Sequence, residues 1–212
     1  IIGMPRSGST LVESILSMNK KLKDLGEINI LEKAYIKSKK FNQKKSLADL
    51  YTEELKQLLK EFSITTNKWL YNYQYSGIIA NEIPNCKIIH CFRNPLDNIL
   101  SINRANFESG NYYSSSLIDS AKVYLDQEQK MNIYKDKFRQ KIYDLNYDLL
   151  VKNPDKEIKS LINWLGWKWN ASYLSPELNE RAVYTASNIQ VRSPINSKSI
   201  GCLLYTSPSP RD

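Results

Sequence analysis

The sequence predicts an α/β fold with a central parallel sheet covered by helices on both faces, and a few observations carry that prediction. Strand-length apolar runs alternate with segments of helical period along the 212 residues. The run Lys87-Ile88-Ile89-His90-Cys91-Phe92 is nearly all apolar, as in a strand buried on both faces rather than half exposed. The chain also opens on β-branched residues that enter a Gly/Pro/Ser turn and pass at once into an apolar-periodic segment. That order reads as strand, tight loop, helix.

In chain order, Ile1 and Ile2 form the first strand, and Leu11, Ile15 and Leu16 share one face of the first helix. Asn19 to Lys23 reads as a polar turn. Ile28, Ile30, Leu31, Ala34 and Tyr35 suit a short helix. Leu47, Leu50, Tyr51, Leu55, Leu58, Leu59 and Phe62 make one apolar stripe of a helix that Ser46 can cap. Ile64-Thr65-Thr66 is a short strand ending at Asn67-Lys68, and a helix follows from about Tyr71 to Glu82, stopped by Pro84. After the strand ending at Phe92, Leu96, Ile99, Leu100 and Asn103 continue as a helix. Leu117 to Phe138 is a long helix, and Ile142 to Tyr147 a strand. Asn153 or Asp155 caps a helix through Ile158, Leu161, Ile162 and Leu165, which ends at Gly166. Beyond Asn170 the pattern is irregular, with Trp167 and Trp169 packing the end of the core.

Composition narrows the class. Hydrophobic residues at 42% and charged residues at 25% are ordinary for a globular domain, and no apolar run approaches a membrane span. The net charge of +8 favours anionic partners. Much of it lies in Lys37, Lys39, Lys40, Lys44 and Lys45, which read as a solvated loop, and no zinc-finger, RNP or helix-turn-helix pattern points to specific nucleic-acid binding. Cys86 and Cys91 lack metal-ligand spacing and read as reduced thiols of a cytoplasmic-type protein. His90, the single histidine, sits mid-strand and reads as a core residue. The chain starts inside a strand, so it reads as a fragment. Residues Cys202 to Asp212 read as the translation of a transposase-type sequencing-library adapter, which leaves one domain, residues 1–201, truncated at both ends.

The first loop, Gly3-Met4-Pro5-Arg6-Ser7-Gly8-Ser9-Thr10, carries the chemistry. A loop of this kind aims successive backbone N–H groups and a helix N-terminus at one spot, which suits phosphate. Gly3 to Gly8 followed by Ser9-Thr10 has nearly the spacing of a nucleoside-triphosphate P-loop, so the expected architecture is a P-loop-like three-layer fold. Ser9 stands where that loop needs its lysine, which argues against a triphosphate. Arg6 places a fork-shaped guanidinium inside the loop instead. In a parallel sheet, Arg6 to Thr10, Asn67-Lys68 and Arg93 all follow strands and so share the carboxyl edge where ligands bind. Arg93 and Ser101, about two helical turns apart, could clamp a second phosphate. Read alone, Arg93 is equally a capping or surface arginine, and Glu27 is a helix N-terminal charge.

Pro5-Arg6-Ser7-Gly8-Ser9-Thr10 resembles the 5′-phosphosulfate loop of sulfotransferases that use PAPS, 3′-phosphoadenosine-5′-phosphosulfate. Ile88 to Asp97 with Ser101 is similar to their 3′-phosphate motif. Asn67-Lys68, Pro84 to His90, Tyr147 with its Leu-Val flank, and Val183 to Pro194 resemble the tyrosylprotein-sulfotransferase branch, in particular bacterial members with upstream tetratricopeptide repeats. The resemblance implies that Arg6, Ser7, Gly8, Ser9 and Thr10 hold the 5′-phosphosulfate, and that Arg93 and Ser101 hold the 3′-phosphate, with Tyr147 among the nucleotide-binding residues. It further implies that Glu27 is the general base, that Lys68 stabilises the leaving phosphate with Arg6, and that Ser187 offers a hydroxyl near the same oxygen. The implied co-substrate is PAPS, its product is PAP, the mechanism is metal-free, and the acceptor is a hydroxyl of a tyrosine peptide, a phenol or a sugar. Asn29 departs from the branch, which has an arginine two places after the base, and this bears on the acceptor. The alternatives are a divergent P-loop nucleotide or sugar kinase, and a basic nucleotide-binding module without catalysis.

Overall fold

A computed structural model of the chain describes residues 1–40, 45–56, 64–105, 107, 110–179 and 192–201. Its central sheet has the order β1-β4-β5, all parallel. β1 (Ile2–Gly3) pairs with β4 (Ile88–Phe92), Ile2 opposite His90, and β4 pairs with β5 (Ile142–Asn146), Ile88 opposite Ile142. A second parallel pair joins β2 (Leu22–Asp24) to β3 (Ile64–Thr66), Leu22 opposite Ile64. The Ile1 amino nitrogen donates to the Asn67 carbonyl at 2.8 Å and ties the start of β1 to the residue that follows β3.

The apolar run of β4 buries both of its faces, as the sequence predicts. Ile89 and Cys91 pack with Val12, Ile15, Leu150, Ile158 and Leu161 from α1 (Ser9–Leu16), α7 (Tyr147–Lys152) and α8 (Pro154–Leu165). Ile88 faces the other way, onto Leu31, Leu50, Ile79 and Met131 of α2 (Ile30–Lys40), α3 (Leu47–Lys56), α4 (Ser76–Glu82) and α6 (Leu117–Phe138). This is the α/β architecture with helices on both faces of a parallel sheet. α5 (Pro95–Asn103) follows β4 directly and is capped by the Asn94 side chain, which accepts from the Leu96 and Asp97 N–H groups. Ser46 and Asp49 cap α3 reciprocally, each side chain bonding the other residue's backbone N–H.

His90 is fully buried at the middle of β4, in line with a core role. Its Nε2 lies 3.1 Å from Gln127 Nε2 and 3.3 Å from Glu128 Oε1, and its Nδ1 lies 3.5 Å from Asp144 Oδ1. Asp144 also accepts from Lys135 and Arg139, each at 2.7 Å. Burial alone would push the Asp144 carboxyl up, but hydrogen bonds from His90, Lys135 and Arg139 outweigh it and hold the group well below the usual carboxylate range. Cys86 and Cys91 are free thiols, and burial pushes Cys91 up to about 12.

Several elements differ from the sequence reading. The polar stretch Asn19 to Lys23 contains the start of β2, because Leu22 is buried while Lys23 stays exposed. The helix expected from Tyr71 begins as a 3₁₀ turn at Leu70–Tyr75 and becomes α-helical at Ser76. Tyr147 opens α7 rather than closing β5, because Asn146 Oδ1 accepts from the Asp148 and Leu149 N–H groups and starts a helix. Asn153 precedes α8 without a side-chain capping bond, and Gly166 ends that helix in the left-handed conformation. Leu58, Leu59, Phe62, Lys44, Ser187 and Cys202 to Asp212 lie outside the described residues. Among the described residues no helix is long and apolar enough to cross a membrane.

Candidate functional site

The loop between β1 and α1 is shaped by two glycines. A Cβ on Gly3 (φ +144°) would stand 2.2 Å from the Cys91 carbonyl oxygen, so only glycine lets β1 approach β4 this closely. Gly8 caps α1 at φ +93°, and a Cβ there would stand 2.3 Å from Cδ2 of Tyr147. The Tyr147 ring therefore lies directly on the loop. Arg6 also has a positive φ of 66°. The loop is held from α5 by Asn98, whose Nδ2 donates to the Pro5 carbonyl at 3.0 Å.

Within the loop the groups differ in what they offer. The Ser7 N–H donates to the Met4 carbonyl at 3.2 Å, so it closes a turn, whereas the resemblance counts it among the phosphosulfate donors. Its hydroxyl is buried and has no hydrogen-bond partner among the described residues. Ser9 and Thr10 occupy the first turn of α1, where backbone N–H groups have no intrahelical acceptor and carry the positive end of the helix dipole.

Arg93 leaves the end of β4 with only 6% exposure, an unusual degree of burial for a guanidinium. Its Nη1 donates to the Arg6 carbonyl at 3.4 Å and its Nη2 to the Ser199 carbonyl at 2.5 Å, while Nε is buried without a partner among the described residues. The guanidinium carbon sits 5.1 Å from the centre of the Tyr147 ring. Asp97, one turn along α5, lies 3.8 Å from Arg93 Nη2 and accepts the Gly201 N–H at 2.7 Å. Tyr124 Oη on α6 donates to the Arg93 carbonyl at 3.3 Å and fixes the end of β4 from the side. Arg6 Nε donates to Ser101 Oγ at 3.2 Å. Burial first, and the neighbouring Arg93 second, push Arg6 below its ordinary value.

Arg6, Gly8, Arg93, Ser101 and Tyr147 are thus joined by a chain of contacts beside the N-terminus of α1. Glu27 and Lys68 form a second unit. Lys68 follows β3 and is completely buried, yet its ammonium donates to Glu27 Oε1, on a side chain 42% exposed. The Lys68 N–H donates to the Gly26 carbonyl at 2.8 Å, which fixes the two residues against each other. Asn29 Nδ2 donates to Glu32 Oε2, and Tyr75 Oη donates to Glu32 Oε1 at 3.4 Å. Sequence reasoning missed Asp97, Asn98, Tyr124 and Ser199. Asn98 and Asp97 were within reach, since both lie on the helix between Arg93 and Ser101.

Residues 19–171 match the model of the sulfotransferase family; the first loop precedes that span. A protein of Aquifex aeolicus (strain VF5) described as uncharacterized is 29% identical over 223 aligned positions, which cover 94% of this chain. The chain spans 29% of that relative's length. Among solved structures, the sulfotransferase domain from the Synechococcus PCC 7002 olefin synthase superposes with a TM-score of 0.71 at 18% identity, covering 98% of this chain and 89% of the other. The sulfotransferase domain from the curacin biosynthetic pathway gives 0.68 at 16% identity, covering 100% and 92%. At these identities the likeness is one of fold.

Proposed function

The chain belongs to the sulfotransferase family, and from that premise we propose that it moves a sulfuryl group from PAPS to a hydroxyl acceptor. The observation that carries this reading is the meeting of two partly or wholly buried guanidiniums, Arg6 and Arg93, with the N-terminus of α1. Like charges so placed repel, and a multiply charged anion relieves both the repulsion and the burial cost. The Ser7 hydroxyl and Arg93 Nε suit such a ligand, because each is a buried donor without an acceptor among the described residues.

In this reading the phosphosulfate lies on the first-turn N–H groups of Ser9 and Thr10, with Ser7 contributing its hydroxyl and Arg6 its guanidinium. The 3′-phosphate lies on Arg93 and Ser101, and Tyr147 borders the nucleotide. Glu27 takes the proton of the acceptor hydroxyl as its oxygen attacks sulfur. Lys68 stabilises the charge that grows on the departing 5′-phosphate. Ser187 keeps its assignment near that oxygen as part of the same reading. The acceptor is a tyrosine peptide, a phenol or a sugar. Transfer of labelled sulfate from PAPS to a panel of these three classes tests the reading: a labelled product in at least one class is expected. No transfer to any of them, with PAPS bound, contradicts it.

A further inference from the structure

We infer that Lys68 and Glu27 form a latch worked by the nucleotide: the lysine holds the carboxylate until the 5′ anionic group of the nucleotide draws the ammonium away, so the base is released only where that group is bound. This rests on the site reading given above.

The pair is asymmetric. Lys68 is completely buried, whereas its partner Glu27 reaches out to solvent. A buried ammonium stripped of its counter-charge is strongly unfavourable, so Lys68 can leave Glu27 only for another anion. The backbone bond from Lys68 to Gly26 does not have to break, because the flexible stem of lysine can carry its ammonium between two acceptors. Lys68 sits immediately after Asn67, whose carbonyl is bonded to the start of β1, and the phosphate-type loop begins where β1 ends. An anion on that loop is therefore the available replacement.

The other charged groups nearby do not substitute for either partner. On the inner side Lys68 shares its surroundings with the Ile1 amino group and the Cys91 thiol, and Glu13 is bonded by Thr66 at 3.2 Å. Glu32, on the helix that follows Glu27 in the chain, is occupied by Asn29 and Tyr75. While Lys68 holds Glu27, its ammonium occupies the carboxylate oxygen Oε1. Once the ammonium moves to the bridging oxygen of the donor, Glu27 accepts the acceptor's proton, the acceptor O–S bond forms and the S–O bond to the 5′-phosphate breaks. The electron pair of that bond stays on the phosphate oxygen of PAP, next to Lys68.

A latch competes with the nucleotide, and that gives it a signature. Calorimetric titration of the full chain with PAP is expected to show tighter binding by Glu27→Gln than by wild type, by about tenfold, since Lys68 is then free in advance. In the Lys68→Met background Glu27→Gln is expected to bring no gain, and Glu32→Gln, which removes a nearby charge not paired to Lys68, is expected to bring none in the wild type. No gain in Glu27→Gln overturns the latch. An equal gain in Glu32→Gln or an undiminished gain in Lys68→Met overturns it too, because the effect would then be through-space repulsion. The Glu32→Gln arm decides the matter even if Lys68→Met fails to fold. Failure of every variant and of the wild type to bind PAP removes the site reading itself, a distinct result from binding without the gain.

Discussion

Arg6 Nε donates to Ser101 Oγ at 3.2 Å, across ninety-five positions of sequence. The resemblance assigns these two groups to opposite ends of one ligand, the guanidinium to the 5′-phosphosulfate and the hydroxyl to the 3′-phosphate. In the structure each is the other's partner, and Arg93 touches the backbone of Arg6 as well. The loop, the end of β4 and α5 are thereby one connected unit. A ligand charged at both ends would exchange these internal bonds for its own.

That exchange sets the first expectation. Arg6→Ala and Arg93→Ala should each weaken PAP binding by about 10- to 150-fold, corresponding to ~1.5–3 kcal/mol for a lost charge-assisted contact. Calorimetry on variants whose melting is still cooperative checks it. Unchanged affinity in both would mean that the guanidiniums serve only to hold the loop and the segment at Ser199.

Gly8→Ala tests the loop by shape rather than by charge. The residue sits at φ +93°, where a side chain costs about 1–3 kcal/mol, and its Cβ would strike the Tyr147 ring at 2.3 Å. The variant should melt lower than wild type and lose PAP affinity. Tyr147→Ala in the same chain should restore part of the stability by removing the collision. No change in melting temperature for Gly8→Ala would contradict this account of the loop.

Much of this was legible in the sequence, for physical reasons that differ by element. The run Ile88 to Cys91 reads as a buried strand because both faces are apolar, and the order Gly3 to Thr10 reads as strand, loop and helix because its glycines permit the turn. β2 was not legible, since only Leu22 of its residues is buried and so short a strand shows no period. The contacts that complete the site were equally hidden: Arg93 to Ser199 and Asp97 to Gly201 join positions more than a hundred residues apart. The pairing of Lys68 with Glu27 could not be read either. Sequence spacing gives Lys68 a place on the sheet edge and makes Glu27 a helix N-terminal charge, but does not say that a buried lysine ends on an exposed carboxylate.

The Asp144 cluster predicts how stability depends on pH. The folded carboxyl is held below its unfolded value of about 3.9, so its contribution is complete above that pH and is lost as pH falls toward the folded value. Asp144→Asn should therefore lower the melting temperature most near pH 7, and the gap to wild type should narrow below about pH 4. A gap that stays constant down to pH 2 would mean that the ion pairs with Lys135 and Arg139 do not carry the effect.

Glu27 and Lys68 should fail in different ways. Glu27→Gln should slow transfer to an un-ionised hydroxyl by ~10²–10⁴, the usual cost of losing a general base. A phenol that is already ionised needs no base and should rescue Glu27→Gln. It should not rescue Lys68→Ala, because the charge on the departing phosphate still lacks its cation. Equal rescue of both would mean that the roles are misassigned.

The central claim is that the loop, Arg93 and Ser101 form a site for a nucleotide charged at both ends. The most direct measurement is a side-by-side calorimetric titration of the chain with PAP and with ATP and magnesium. The account predicts clearly tighter binding of PAP, since Ser9 stands in place of the lysine that a triphosphate loop requires. A preference for ATP with magnesium would contradict it and favour a kinase-type site on the same fold.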